Sequence, residues 1–210
     1  MKDRILITGG NGRLATELKK HLSGDYLTKE EFDFTKPIKL KQKYDLIIHA
    51  GGYTNTLKAE TDDKDECFRI NVYGTFNLVE HYKNTPLIFI SSEYAKNPIC
   101  IYALTKKLGE EIVKSHSKHF IIRTSFKPNP FPFPYAYEDQ YTQGDYVDVI
   151  AKLLAKRIKR WNRKTCELEY LGTGRKTVLE LAKRTRPDVK PNRVDDFIKQ
   201  TNVPIQKDYE

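Results

Sequence analysis

An apolar run at residues 4–8 ends in Thr8-Gly9-Gly10-Asn11-Gly12-Arg13-Leu14-Ala15, and helical spacing takes over at once, with apolar residues at 14, 15, 18 and 22. Little else in the chain restricts the fold as much, because a buried strand that runs through glycines into a helix is the opening of a parallel α/β unit. Gly9 allows the tight turn, Gly12 lets backbone approach a pyrophosphate, and Ala15, in place of a third glycine, permits close packing of helix on sheet. The free N–H groups of the helix start then face negative charge. The pattern points to dinucleotide binding; a plain strand–helix turn is the bland alternative.

The rest of the first half repeats the alternation. Strand patterns recur at 25–28, 44–50, 86–91 and 120–124. Helical patterns recur at 62–83, with Cys67, Ile70, Val72, Phe76 and Val79 available for one face, and at 102–115. Short connections between them predict an α/β fold with a doubly wound parallel sheet of the Rossmann type. Residues 127–134 hold four prolines and form an extended crossing loop. Beyond it the spacing predicts a helix over 145–159, a strand over 167–171 and a helix over 178–184, with the last 25 residues unassigned.

Composition bounds the class. At 39% apolar and 11% aromatic, 210 residues suffice for a packed core and exclude a disordered chain. No run approaches the roughly 18 apolar residues of a membrane span. The N-terminus passes straight into a strand, which leaves no room for a signal peptide. Three cysteines, Cys67, Cys100 and Cys166, lack metal spacing and form no disulfide framework, so a reducing compartment, the cytoplasm, is expected. The net charge of +9 suits a nucleic-acid binder or a protein that handles phosphorylated small molecules.

Tyr102-Ala103-Leu104-Thr105-Lys106 puts a phenol and an ammonium four residues apart, on one helical face. A neighbouring cation lowers a phenol's pKa, and such a tyrosine can protonate a carbonyl oxygen as hydride reaches carbon. Ser92, at the end of the fourth strand, is placed to bond the same oxygen. A surface helix pair is the bland reading of the tyrosine and lysine taken alone. About 20 residues after the glycine loop, where an acidic residue marks unphosphorylated ribose, the chain reads Leu27-Thr28-Lys29. Arg13 and Lys29 would suit a 2′-phosphate, which favours NADP(H) and leaves NAD(H) admissible; two solvated cations are the alternative. Asp33 and Phe34 could bond and wall an adenine.

The segments 7–15, 27–35, 49–54, 58–60, 71–74, 90–94 and 102–110, in that order, resemble the extended short-chain dehydrogenase/reductase superfamily. The resemblance is strongest to dTDP-4-dehydrorhamnose reductases and related reductases of nucleotide-linked 4-keto-6-deoxy sugars. It implies that Ser92 orients the substrate carbonyl, Tyr102 donates the proton, and Lys106 binds the nicotinamide ribose and tunes Tyr102. It further implies that Gly9, Gly12, Arg13 and Leu14 hold the pyrophosphate, Asp33 and Phe34 the adenine, and Ala50, Gly51 and Tyr53 the ribose and nicotinamide side. Thr54, Asn55 and Thr56 would face the sugar, and Asn71 would tie its helix to a neighbouring strand. Residues 1–125 would then form the cofactor-binding domain, and residues 126–210 a reduced substrate side interleaved with the same core. Tyr102 follows Ser92 by only ten positions, fewer than in the rhamnose-type reductases that the chain resembles. No acidic set for a metal is recognisable, and none is expected.

Other readings stay open. Glu93 beside Ser92 keeps a dehydratase or epimerase of the same superfamily in view, and the shortened substrate side allows a non-catalytic NADP-binding sensor or scaffold. The segment 152–164, with seven cations and Trp161, allows nucleic-acid binding, although a solvated helix face explains it more simply. The expected partner is a nucleotide-diphosphate sugar, with no membrane and no nucleic acid; a homodimer is an option.

Overall fold

The computed structural model describes residues 3–208. Strand β1 (Ile5–Thr8) leads through the glycine loop into α1 (Arg13–Leu18), followed by β2 (Asp25–Leu27) and β3 (Leu46–His49). Two short helices come next, α2 (Thr56–Glu60) and α3 (Lys64–Phe68). A π-helical turn at Arg69–Tyr73 joins α3 to α4 (Gly74–His81). Then come β4 (Leu87–Ser92), a 3₁₀ turn (Glu93–Ala95), α5 (Ile101–Lys114) and β5 (His119–Thr124). The second region holds short strands β6 (Phe126–Lys127), β7 (Tyr135–Tyr137), β8 (Tyr141–Thr142) and β9 (Asp145–Tyr146), then α6 (Val147–Arg160) and β10 (Glu167–Tyr170). It closes with β11 (Lys176–Thr177), α7 (Val178–Lys183), β12 (Lys190–Asn192) and α8 (Val194–Thr201).

The central sheet has six strands in the order β10-β5-β4-β3-β1-β2, all paired in parallel. Its strands alternate strictly between two cores. Ile5, Ile7, Leu46, Ile48, Ile88, Ile90, Phe120 and Ile122 face α1 and α6, meeting Leu14, Leu18, Ile150, Leu154 and Ile158. Leu6, Ile47, Leu87, Phe89 and Ile121 face the other way, onto Leu78, Val79 and Val113. Burial on both faces is why these strands read as unbroken apolar runs. The order reverses between β1 and β3, the switch point at whose strand carboxyl ends open α/β sheets bind ligands. The segment 167–171 expected as a strand supplies the sheet edge β10, so the second region completes the first region's sheet. A small third cluster, including Phe131, Ala136, Tyr146, Val178 and Leu181, packs the remainder.

The long helix expected over 62–83 is present but interrupted. Its π-helical turn inserts one residue into the helical ladder and rotates the helix beyond it. Asn71, Thr75, Leu78 and Val79 therefore point inward, while Phe76, assigned to the buried face by simple periodicity, is 51% exposed. Helix α5 comes close at this point: a Cβ on Gly109 would lie 2.8 Å from the Phe89 ring and 3.1 Å from the Asn71 carbonyl oxygen. The 25 residues left unassigned contain β12 and α8. No helix among the described residues is long and apolar enough to cross a membrane.

His49 pins the switch point from within. It is fully buried, its Nδ1 lies 2.8 Å from the Thr8 hydroxyl and its Nε2 3.1 Å from that of Thr75. Burial, with the nearby Lys106 charge, pushes its pKa down to about 3, so the folded chain holds a neutral imidazole. An unfolded histidine takes up a proton near pH 6.5, the folded one does not, and stability falls as pH drops through that window. Between pH 7 and pH 5 this one group should remove about 2 kcal/mol of stability. Denaturant titrations at both pH values should show that loss in wild type and a clearly smaller one in His49→Gln.

Candidate active site

A cleft of about 760 Å³ runs across the carboxyl ends of β1, β3, β4 and β5. Its floor at one end is the glycine loop. Gly9 has φ of +69°, and a Cβ there would sit 2.7 Å from the Gly51 Cα, so the loops after β1 and β3 touch through backbone. Gly12 precedes α1 in extended conformation, and no side chain caps the helix start. Backbone amides at the head of α1 are thus left open to the cleft, the feature an anionic dinucleotide needs. Arg13 and Lys29 border the same end and are exposed. The Lys29 ammonium lies 3.9 Å from Glu66, which is itself clamped by Arg69 in two hydrogen bonds of 2.6 Å.

The adenine candidates sit lower than a free wall would. Phe34 is buried, edge-on to the His49 ring at 4.8 Å, and its ring fills the space above Gly51 and Gly74. Asp33 accepts from the amide and hydroxyl of Thr35, and these bonds hold its carboxyl below the usual range against the opposing effect of burial. Both residues line the cleft.

At the other end Ser92, Tyr102 and Lys106 line one wall. Ser92 ends β4, and its hydroxyl accepts from the Tyr94 amide at 3.3 Å. Tyr102 lies in the first turn of α5, edge-on to Tyr94 at 6.2 Å. Burial pushes its phenol up to about 12, opposed by a hydrogen bond with Ser92. Lys106 lies one turn on, but its ammonium does not act on the phenol as the four-residue spacing implies. It donates to the Ile90 carbonyl at 2.8 Å and stands 4.2 Å over the Phe89 ring. Burial lowers its pKa to about 8, with the Glu110 carboxylate opposing the fall. The reason is packing: the α5 face that carries Lys106 is pressed onto β4, and the chain extends along the strand.

The loop after β3 is held by Asn71. Its Oδ1 accepts from the Tyr53 amide at 2.8 Å, while its Nδ2 donates to the Tyr53 carbonyl at 3.2 Å and to the Thr105 hydroxyl at 3.0 Å. One side chain on the π-helical turn thus fixes the loop and α5 together, beyond the single tie expected of it. Ala50, Gly51, Tyr53, Thr54 and Thr56 line the cleft, with the Tyr53 hydroxyl turned away to Asp63 at 2.8 Å. Asn55 is absent from the wall because its side chain caps α2, accepting from the Lys58 amide at 3.0 Å. Thr124, Ser125, Phe126, Lys127 and Phe133 complete the cleft and were not singled out from sequence. Thr124 ends β5 and the next three follow it, so the rule that open parallel sheets bind at strand carboxyl ends marks their location.

Two side chains weighed for other roles are committed elsewhere. Glu93 accepts from the Thr142 hydroxyl at 2.7 Å and the Gln143 amide at 3.2 Å, lies outside the cleft wall, and is raised in pKa by burial. Trp161 is buried against Phe120 at 5.6 Å, so the basic α6 segment presents cations without an aromatic ring for stacking.

Residues 3–127 match the RmlD substrate binding domain family. No curated protein matches the sequence. Among solved structures, the dTDP-4-dehydrorhamnose reductase of Bacillus anthracis str. Ames, in complex with NADP, is similar at a TM-score of 0.76 and 22% identity. That alignment spans all of this chain and 95% of the other. The Clostridium acetobutylicum dTDP-4-dehydrorhamnose reductase aligns at 0.77 and 23% identity, over 92% of this chain and 85% of the other. A hypothetical dTDP-4-dehydrorhamnose reductase from Sulfolobus tokodaii aligns at 0.76 and 24% identity, over 91% and 86%. These likenesses establish the fold. With more than half of its length matched, the chain belongs to the RmlD substrate binding domain family, an RmlD-like branch of the extended short-chain dehydrogenase/reductases.

Proposed function

We propose that the chain is an NADPH-dependent reductase of a nucleotide-linked 4-keto-6-deoxy sugar. The observation that carries this reading is one cleft bordered at one end by an open glycine loop and at the other by Ser92, Tyr102 and Lys106. The cradle fits a dinucleotide: backbone approaches backbone at Gly9 and Gly51, and the helix start is uncapped. Bound there, the cofactor supplies a hydride for the sugar's C4. Gly9, Gly12, Arg13 and Leu14 hold its pyrophosphate side, Asp33 and Phe34 its adenine, and Ala50, Gly51 and Tyr53 its ribose and nicotinamide side. Ser92 donates to the keto oxygen and orients it. Tyr102 carries its proton at neutral pH and delivers it to the same oxygen. Lys106, on the same cleft wall, is the cation for the ribose hydroxyls once its ammonium turns from the Ile90 carbonyl. Thr54 and Thr56 stand on the sugar side. We assign residues 1–125 to the cofactor and residues 126–210 to the substrate side.

The matching structures include proteins in complex with NADP and with NAD. Arg13 and Lys29 favour NADP here, since Lys29 is only loosely paired to Glu66. Replacing both by alanine should weaken NADPH binding at least tenfold more than NADH binding, as fluorescence titration would read, the loss common to both cofactors being that of Arg13 at the pyrophosphate. Equal loss for both cofactors would remove the assignment.

Glu93 speaks against the dehydratase variant, whose extra acid/base must face the cleft. The Lys106 amine, bonded to Ile90, gives the non-catalytic scaffold reading its one support. Consumption of NADPH with a dTDP-linked 4-keto-6-deoxy sugar decides: measurable turnover supports the reductase, and NADPH binding without turnover supports the scaffold.

A further inference from the structure

We propose that Lys127 is the substrate-side cation of this site, binding the diphosphate of the nucleotide-linked sugar at the neck between the cleft and a second, apolar pocket. The proposal rests on the reductase reading and adds to it the group that recognises the substrate's charge.

Lys127 ends β6, which pairs with β9 in parallel and places Lys127 opposite Tyr146. Beyond the cleft lies a pocket of about 200 Å³. Thr56, Tyr94 and Lys127 border both spaces, so these side chains form the boundary that the two share. The pocket's far walls include Leu57, Ile99, Phe197 and Ile205, apolar surfaces suited to a nucleobase. The order of chemistry along the path is therefore a proton donor at Tyr102, a cation at Lys127 and an apolar recess. A nucleotide sugar has the same order: a keto sugar, a diphosphate and a nucleoside.

The state of the lysine supports this. Among the described residues, none accepts a hydrogen bond from its ammonium and none forms an ion pair with it. Glu93 is the nearby opposite charge, but its oxygens are engaged by Thr142 and Gln143. Burial lowers the lysine's pKa, and the Glu93 carboxylate opposes that fall. Lys127 is half-buried on the border of both cavities, and an arriving diphosphate offers the acceptors its ammonium lacks. Arg13 and Lys29 lie at the cofactor's end of the cleft, so they leave this neck to Lys127.

The test is calorimetric titration of the full chain, saturated with NADPH, using thymidine diphosphate, uridine diphosphate and the two nucleosides. We expect Lys127→Met to weaken binding of at least one diphosphate tenfold or more and to leave nucleoside binding unchanged. Lys127→Arg should recover most of the loss, and NADPH affinity, equal in all three proteins, reports that the variants are folded. A methionine variant that binds both diphosphates within twofold of wild type overturns the proposal, and so does a wild type that binds neither. Turnover separates the two readings. Diphosphate binding through Lys127 without turnover of a 4-keto sugar nucleotide overturns the reductase and keeps the lysine's role. Turnover with the same KM in Lys127→Met overturns the lysine's role and keeps the reductase.

Discussion

Tyr102→Phe should lower turnover of a 4-keto sugar nucleotide by about 10²–10⁴ while NADPH binds as before. The substitution removes one hydroxyl from a first-turn residue of α5 and keeps the ring edge-on to Tyr94. The fold should hold, because the hydroxyl's one identified partner is Ser92, at the cleft wall. With the phenol pushed up to about 12, the residue is protonated throughout the neutral range and serves as an acid toward a carbonyl oxygen. Single-turnover measurements should show the loss in the chemical step and little change in cofactor affinity. A variant as active as wild type would show that the proton comes from elsewhere. Ser92→Ala should act in the same direction with a smaller effect, since it orients the oxygen without supplying the proton.

Glu110→Ala should be the most damaging substitution for stability, at about 3–5 kcal/mol. Glu110 is fully buried in α5, and Arg123 in β5 is 8% exposed at its side chain. They meet in two hydrogen bonds, Nε to Oε1 at 2.8 Å and Nη2 to Oε2 at 2.6 Å, and Ser91 donates to the same carboxylate at 2.6 Å. Removing the carboxylate leaves a guanidinium in the interior with only the Tyr170 hydroxyl, at 2.7 Å, to accept from it. For a chain of this size the loss corresponds to roughly 6–20 °C in Tm. The pair also ties α5, which carries Tyr102, to β5 and, through Ser91, to β4, which ends at Ser92, so activity should fall before the chain melts. A double variant, Glu110→Leu with Arg123→Met, should recover most of the stability, because an isolated buried charge costs far more than an absent pair. If the single variant melts with wild type, the pair is not the clamp described.

The architecture was legible from sequence where local pattern and burial coincide. Residues 4–8, 44–50, 86–91 and 120–124 had to be central strands, since apolar runs of that length followed by glycines or polar turns fit no exposed element. The cleft lining was legible at strand ends, as with Gly9, Ser92 and the loop after His49. Phe76 was misplaced because the π-helical turn at Arg69–Tyr73, packed against α5 at Gly109, changes the helical phase. Asn55 was read as a substrate contact, yet a helix start beside it claimed its side chain.

The sequence alone determined a doubly wound parallel sheet, a glycine cradle at its switch point, and a serine, tyrosine and lysine on the neighbouring strand and helix. These arise from contacts within or between adjacent segments, so spacing and residue type record them. Only the tertiary structure decided where the charges lie: Lys106 on Ile90, Glu93 on Thr142 and Gln143, and Lys127 on the border of two pockets. A charged side chain settles where burial and partners from distant segments leave it room. Glu93 and Thr142 stand 49 residues apart, and no local pattern encodes their meeting.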